Sequence, residues 1–151
     1  DFTMEKQNRS ALLTLILVYI FGVCLILLAF TAPALMRQYI QVTHCPESLF
    51  LPVTTTFYAI LPFAAATLLA LDRLLRRILR GEVFVSANVA ALRLISYMLC
   101  AAVVIFLAAG FFYGGFFVLA VAAAFFVTVV RTVKNCFAAA VLIKDENELT
   151  I

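Results

Sequence analysis

Charged side chains are scarce in this sequence. Only 13% of its residues are Asp, Glu, Lys or Arg, against roughly 25% in soluble domains. Apolar residues make up 66% of the chain, and the mean hydropathy is +1.15. A chain of 151 residues is too small to hide that much apolar surface in a core of its own. The soluble class is excluded, and lipid must solvate most of the molecule. The length suits one domain, at about 100–200 residues per domain.

Histidine occurs once, and the four cysteines form no CxxC or CxxxC pair. Cys24, Cys100 and Cys136 lie in apolar segments, and only Cys45 falls in a loop. That spacing supports neither a disulfide framework nor a zinc site, and no cofactor is expected. His44 stands beside Cys45 and near Glu47. A Cys–His pair can activate a thiolate or hold a metal, but neighbouring loop residues tend to point apart and no third group joins them. No phosphate-binding glycine loop is present. Thr54-Thr55-Thr56 reads as a helix start and an interhelical contact rather than a set of nucleophiles. The expectation is a protein that is not an enzyme.

Ionisable residues are also missing from the middle of every apolar run; Asp72 and Arg93 stand at run ends. A proton-coupled exporter keeps such a group inside the membrane, so that class is disfavoured, while a passive pore or oligomeric channel survives.

What the sequence has is long apolar runs. Four spans are expected, at about residues 11–36, 51–71, 92–112 and 116–135, as an all-α four-helix membrane bundle over residues 4–151. Residues 1–3 precede Met4-Glu5-Lys6 and read as a tag remnant. The first run exceeds the about 20 residues that cross the hydrocarbon core, so tilt or a protruding end is expected. It is too long for a signal peptide. A polar loop is expected over residues 37–50. Pro62 in mid-span two removes a backbone bond and crowds the Tyr58 carbonyl, which predicts a kink with a pocket at Tyr58 and Pro62. Gly110-x-x-x-Gly114, with Gly115, reads as a tight hairpin before a dimerisation motif. Ala120, Ala124 and Thr128 form a small-residue stripe, read first as packing inside the monomer, with homo-oligomerisation left open. Phe106, Phe111, Phe112, Phe116, Phe117, Phe125 and Phe126 read as lipid-facing bulk.

Ten of the eleven Lys and Arg residues fall at one end of the spans, and only Arg37 at the other. The positive-inside bias then places both termini and the 72–91 linker in the cytoplasm. The net charge of +3 reflects this topology rather than nucleic-acid binding.

Span two continues past the membrane. Leu71, Leu74, Leu75, Ile78 and Leu79 fall on one helical face, and Arg73, Arg76, Arg77 and Arg80 on the other, an amphipathic extension. Gly81 is placed to stop it, and Ser86 to cap the next helix with Asn88 in its first turn. Val130, Val133, Phe137, Ala140 and Val141 continue span four in the same way. The two stripes should pack on each other or on the start of span three, with Phe84 as a plug. The arginine face has three readings: it sets topology, binds anionic lipid headgroups, or docks an acidic partner, the chain's own acidic 144–151 tail included.

The segment Leu79-Arg80-Gly81-Glu82-Val83-Phe84, followed by Asn88 and Leu92, resembles the G-x-P-F…N…L signature of a bacterial four-span family, with Val83 where proline is often found. The ending Glu146-Asn147-Glu148-Leu149-Thr150-Ile151 resembles its E-x-E/D-L-T-V/I terminus. That family is the domain of unknown function 2975. The resemblance implies a multi-pass bacterial inner-membrane protein without established activity, and a helix-turn-helix regulator as a cytoplasmic partner. The resulting expectation is a non-enzymatic module that presents a basic cytoplasmic surface to such a partner. The alternative is a binder or conduit for an apolar or cationic small molecule near Pro62.

Overall fold

The computed structural model describes residues 2–150, with side chains through residue 149. Asp1 of the expected remnant, Ile151 of the terminal motif and the side chain of Thr150 lie outside the described residues. Four helices follow in order: α1 (Phe2–Thr43), α2 (Phe50–Leu79), α3 (Ser86–Gly110) and α4 (Gly115–Thr150), with one 3-10 turn at Glu47–Leu49. Each helix is long and apolar enough to cross a membrane. Among the described residues there is no strand. The protein is an all-α, four-span membrane bundle.

The helices run well past the expected spans. α1 does not stop near Met36 but continues through Pro33 and Arg37 to Thr43, so the expected 37–50 loop is mostly helix. Packing explains the extra turns: Ile40 is buried, and the Arg37 guanidinium lies over the Phe50 ring at 5.2 Å. His44, with φ +55, takes the left-handed conformation that often ends a helix.

Consecutive helices pack as neighbours, α1 on α2, α2 on α3 and α3 on α4. Counting about 20 residues from Phe50 reaches the region of Leu71. The same count back from Arg37 reaches Leu17 on α1. Both helices therefore project past the hydrocarbon at the end where α1 begins and α4 ends. There Ala11, Leu15 and Val18 of α1 form a core with Leu75 of α2, flanked by Leu68, Leu71, Ile78 and Leu79. This corrects one part of the expectation: the α2 stripe meets α1 rather than the α4 stripe, while α2 also packs on α3. The first run is longer than a bilayer because its N-terminal turns cover part of that stripe.

On α4 the buried small residues are Ala120 and Ala123, while Ala124 and Thr128 are exposed. The expected 120–124–128 packing stripe is thus corrected: only its first member enters the monomer core, and the contact face continues three residues on. Gly110 closes α3 where the chains cross tightly. A Cβ there would fall 2.5 Å from the Phe117 ring, which is why the hairpin turn carries glycine.

Candidate functional site

The end carrying the α2–α3 linker holds most of the polar structure. α2 closes with paired backbone bonds, Glu82 N–H to the Arg77 carbonyl and Gly81 N–H to the Ile78 carbonyl, both 3.0 Å. Gly81 has φ +85, the left-handed residue such a helix stop requires. Ser86 does not cap α3. The cap position is Val85, in extended conformation and without a side-chain bond.

Asn88 does the local work instead. Its Nδ2 donates to the carbonyls of Glu82 at 2.8 Å and Val83 at 2.7 Å, so the carboxamide ties the linker to α3. Arg77 Nη1 donates to Asn88 Oδ1 at 3.3 Å and to the Ala87 carbonyl at 3.4 Å. Asn88 is 0% exposed, and a buried amide of this kind is stable only when its hydrogen bonds are made. Phe84 folds back to meet Phe137 of α4 edge-to-face, centroids 5.5 Å apart.

The four arginines therefore do different things. Arg77 turns in toward the linker. Arg76 donates from Nε to both carboxylate oxygens of Asp72 at 3.1 Å and from Nη2 to the Tyr19 hydroxyl of α1. Arg73 and Arg80 are exposed, and neither forms an ion pair among the described residues. The acidic residues Asp145, Glu146 and Glu148 and the adjoining Leu149 are exposed on the last turns of α4. Among the described residues no ion pair joins Asp145 or Glu148 to the arginines.

The family model described as "Protein of unknown function (DUF2975)" matches residues 35–151. The chain belongs to this family. No curated protein and no solved structure matches it. The match takes in Gly81, Phe84, Asn88 and the end of α4, but it begins after most of α1. In this DUF2975 chain the linker motif is thus a structural device: Gly81 stops α2, Asn88 stitches the linker, and Phe84 packs on α4.

At mid-depth an apolar cavity of about 410 Å³ opens among all four helices, with Leu25, Phe63, Ala64, Met98, Phe106 and Ala123 in its wall. Its lone hydroxyl, that of Thr67, already donates to the Phe63 carbonyl at 2.8 Å. Neither Pro62 nor Tyr58 lines it. Pro62 is exposed inside an unbroken α2, and the Tyr58 hydroxyl donates to the Ala29 carbonyl of α1 at 2.7 Å. The sequence reading placed the pocket at those two residues; the cavity lies on the adjoining face of α2.

At the opposite end His44 is exposed, and the Thr43 hydroxyl donates to the Tyr39 carbonyl at 2.6 Å, with Cys45 Sγ 3.2 Å from the same oxygen. Among the described residues no three His, Cys, Asp or Glu side chains gather as a metal site. Nothing in this arrangement points positively to catalysis. Sequence reasoning missed Tyr19 as a partner of Arg76, and Ser96 as a partner of Arg131 (Nε to Oγ, 3.2 Å). Both links join residues far apart in the chain, and no local pattern announces them.

Proposed function

We propose that the protein is a non-enzymatic membrane module that presents a basic cytoplasmic surface to a soluble partner. A helix-turn-helix regulator is the partner class that the family resemblance suggests. The membrane is the bacterial inner membrane, with both termini and the α2–α3 linker inside, as the lysine and arginine asymmetry favours.

The observation that carries the reading is the division of labour among the arginines. Arg76 and Arg77 are engaged within the fold, while Arg73 and Arg80 are left outward-facing without ion pairs among the described residues. At the same end of the bundle α1 exposes Leu12, Leu13, Ile16 and Leu17, at a depth where about 20 residues of span have already been used. An apolar patch rimmed by charge is the usual character of a protein-docking surface.

A photo-crosslinker at position 80 in native membranes, read by mass spectrometry, tests this. A cytoplasmic protein captured with Arg73 intact and lost in Arg73→Gln supports the reading. Capture that is indifferent to Arg73 leaves the arginines with topology alone.

The four-helix cavity favours a second reading, a binder of apolar small molecules. Its walls carry no carboxylate and one hydroxyl, Thr67, whose hydrogen is spent on the Phe63 carbonyl, which supports an apolar ligand over a cationic one. Saturable quenching of a hydrophobic fluorophore, abolished by Ala64→Phe, would favour this second reading.

A further inference from the structure

A groove of about 370 Å³ runs between α1 and α2, with Tyr19, Gly22, Ile26, Ala65, Leu68 and Asp72 along it. It is chemically two-ended. From Gly22 to Ile26 on α1, and from Leu69 back to Ala65 on α2, every lining residue is apolar or glycine. At the other end stand Tyr19 and Asp72, bridged by Arg76, with Arg73 on the adjoining exposed face. The count of about 20 residues from Phe50 puts the hydrocarbon boundary near Leu71, so the polar end lies at headgroup level. The apolar end reaches about 10 Å into the hydrocarbon, at 1.5 Å per residue.

The hydrogen-bond inventory at the polar end selects the sign of the ligand. Both Asp72 oxygens accept from Arg76 Nε, so that carboxylate is already compensated. Arg76 uses Nε on Asp72 and one Nη2 hydrogen on Tyr19, which leaves three of the five guanidinium N–H groups unspent. The Tyr19 oxygen accepts from Arg76, which leaves its own O–H free to donate. Arg73 adds a full positive charge with no ion pair among the described residues. Free donors outnumber free acceptors, and phosphate is the oxygen-rich anion present at that depth of a membrane.

We propose that this groove is a binding site for one anionic phospholipid of the leaflet on the side of the termini. An acyl chain lies along Gly22, Ile26, Ala65 and Leu68, and the phosphate is held by Arg76, the Tyr19 hydroxyl and Arg73. Gly22 makes room for the chain: a Cβ built there meets nothing within 4 Å. The site needs no soluble partner, and although it shares Arg73 with the docking surface its test turns on Gly22, Tyr19 and Arg76, which that surface does not use, so the two stand or fall apart.

The test is native mass spectrometry of the full chain, purified in detergent, delipidated and offered phosphatidylglycerol or phosphatidylcholine. The wild type should retain one phosphatidylglycerol per chain, preferred over phosphatidylcholine by about tenfold, since each basic residue near the surface contributes appreciably to anionic-lipid binding. Gly22→Leu fills open space without touching the charges and should abolish retention of both lipids. Gly22→Val serves as a smaller plug if leucine impairs folding, as judged by far-ultraviolet circular dichroism and the thermal midpoint. Arg76→Gln and Tyr19→Phe should leave chain binding in place and reduce the preference for phosphatidylglycerol, the arginine variant more. Retention that survives both Gly22 substitutions, a headgroup preference unchanged in Arg76→Gln, or retention of phosphatidylcholine equal to or stronger than that of phosphatidylglycerol would each overturn the proposal.

Discussion

Arg131 of α4 donates from Nε to the hydroxyl of Ser96 on α3 at 3.2 Å, and Ser96 is 1% exposed. Counting about 20 residues from Phe116 reaches Asn135, so Arg131 lies one turn inside the hydrocarbon boundary. A guanidinium there needs a polar partner that lipid cannot supply. Ser96→Ala should lower stability by about 0.6 kcal/mol and by no more than about 1.7, the average and the maximum found for interhelical hydrogen bonds in membranes. Arg131→Gln, which keeps a donor, should cost less than Arg131→Met. A double-mutant cycle on Ser96→Ala and Arg131→Met, read by denaturant unfolding in micelles, checks the pair. Simple additivity would show that the two residues act separately.

Asn88 gives the largest expected effect in the linker. Its carboxamide donates to the Glu82 and Val83 carbonyls and accepts from Arg77. Asn88→Ala removes both bonds to the linker carbonyls and should cost about 1–3 kcal/mol, at roughly 0.5–1.5 kcal/mol for each hydrogen bond lost. Asn88→Asp is the sharper variant. A carboxylate cannot donate to carbonyls, so pairing with Arg77 should not rescue it, and it should melt no higher than Asn88→Ala. A higher thermal midpoint for the aspartate would mean that the Arg77 contact, not the carbonyl stitching, matters most.

The fold was legible in the sequence because lipid imposes it. Three uncharged runs, the last of them (94–130) two spans long and divided by the Gly110–Gly115 turn, leave few alternatives when every backbone group must be satisfied within its own helix. The Gly81 stop was legible for a local reason, since a glycine after an amphipathic run is the usual left-handed terminator. The remainder depended on which helix meets which. Leu75 could have faced α4 as easily as Ala11, Leu15 and Val18, because the α2 stripe specifies an apolar neighbour and not its identity. The same limit hid Tyr19 beside Arg76, 57 positions away in the chain. It also misplaced the cap of α3. Ser86 is a good capping residue, but Asn88 draws the linker carbonyls onto α3 and moves the helix start one residue earlier.

Topology can be checked with the native cysteines, all four of which are free. Cys45 lies in the turn between α1 and α2, and Cys136 is exposed on α4 past the hydrocarbon boundary. A membrane-impermeant maleimide applied to intact cells should label Cys45 and spare Cys136, and both should react after permeabilisation. Cys24 and Cys100 fall within the spans and should remain unlabelled throughout. Labelling of Cys136 with Cys45 protected would invert the orientation, and the basic face would then look outward.

The Phe84–Phe137 contact joins the linker to the inner part of α4 across 53 residues of chain, edge-to-face at 5.5 Å. Phe84 is 45% exposed, so the contact is only partly shielded, and an aromatic pair contributes about 0.5–1.5 kcal/mol beyond its buried area. Phe84→Ala and Phe137→Ala should each be destabilising, with a coupling energy in that range. The effect should also be local. α1 covers the α2 stripe through a separate core of Ala11, Leu15, Val18 and Leu75, so losing the aromatic pair should free α4 and leave the α1–α2 unit intact. Hydrogen exchange should then rise in residues 136–149 of the Phe84→Ala variant and stay unchanged at Leu74 and Leu75. A rise at both places would mean that the inner end of the bundle opens as one cooperative unit.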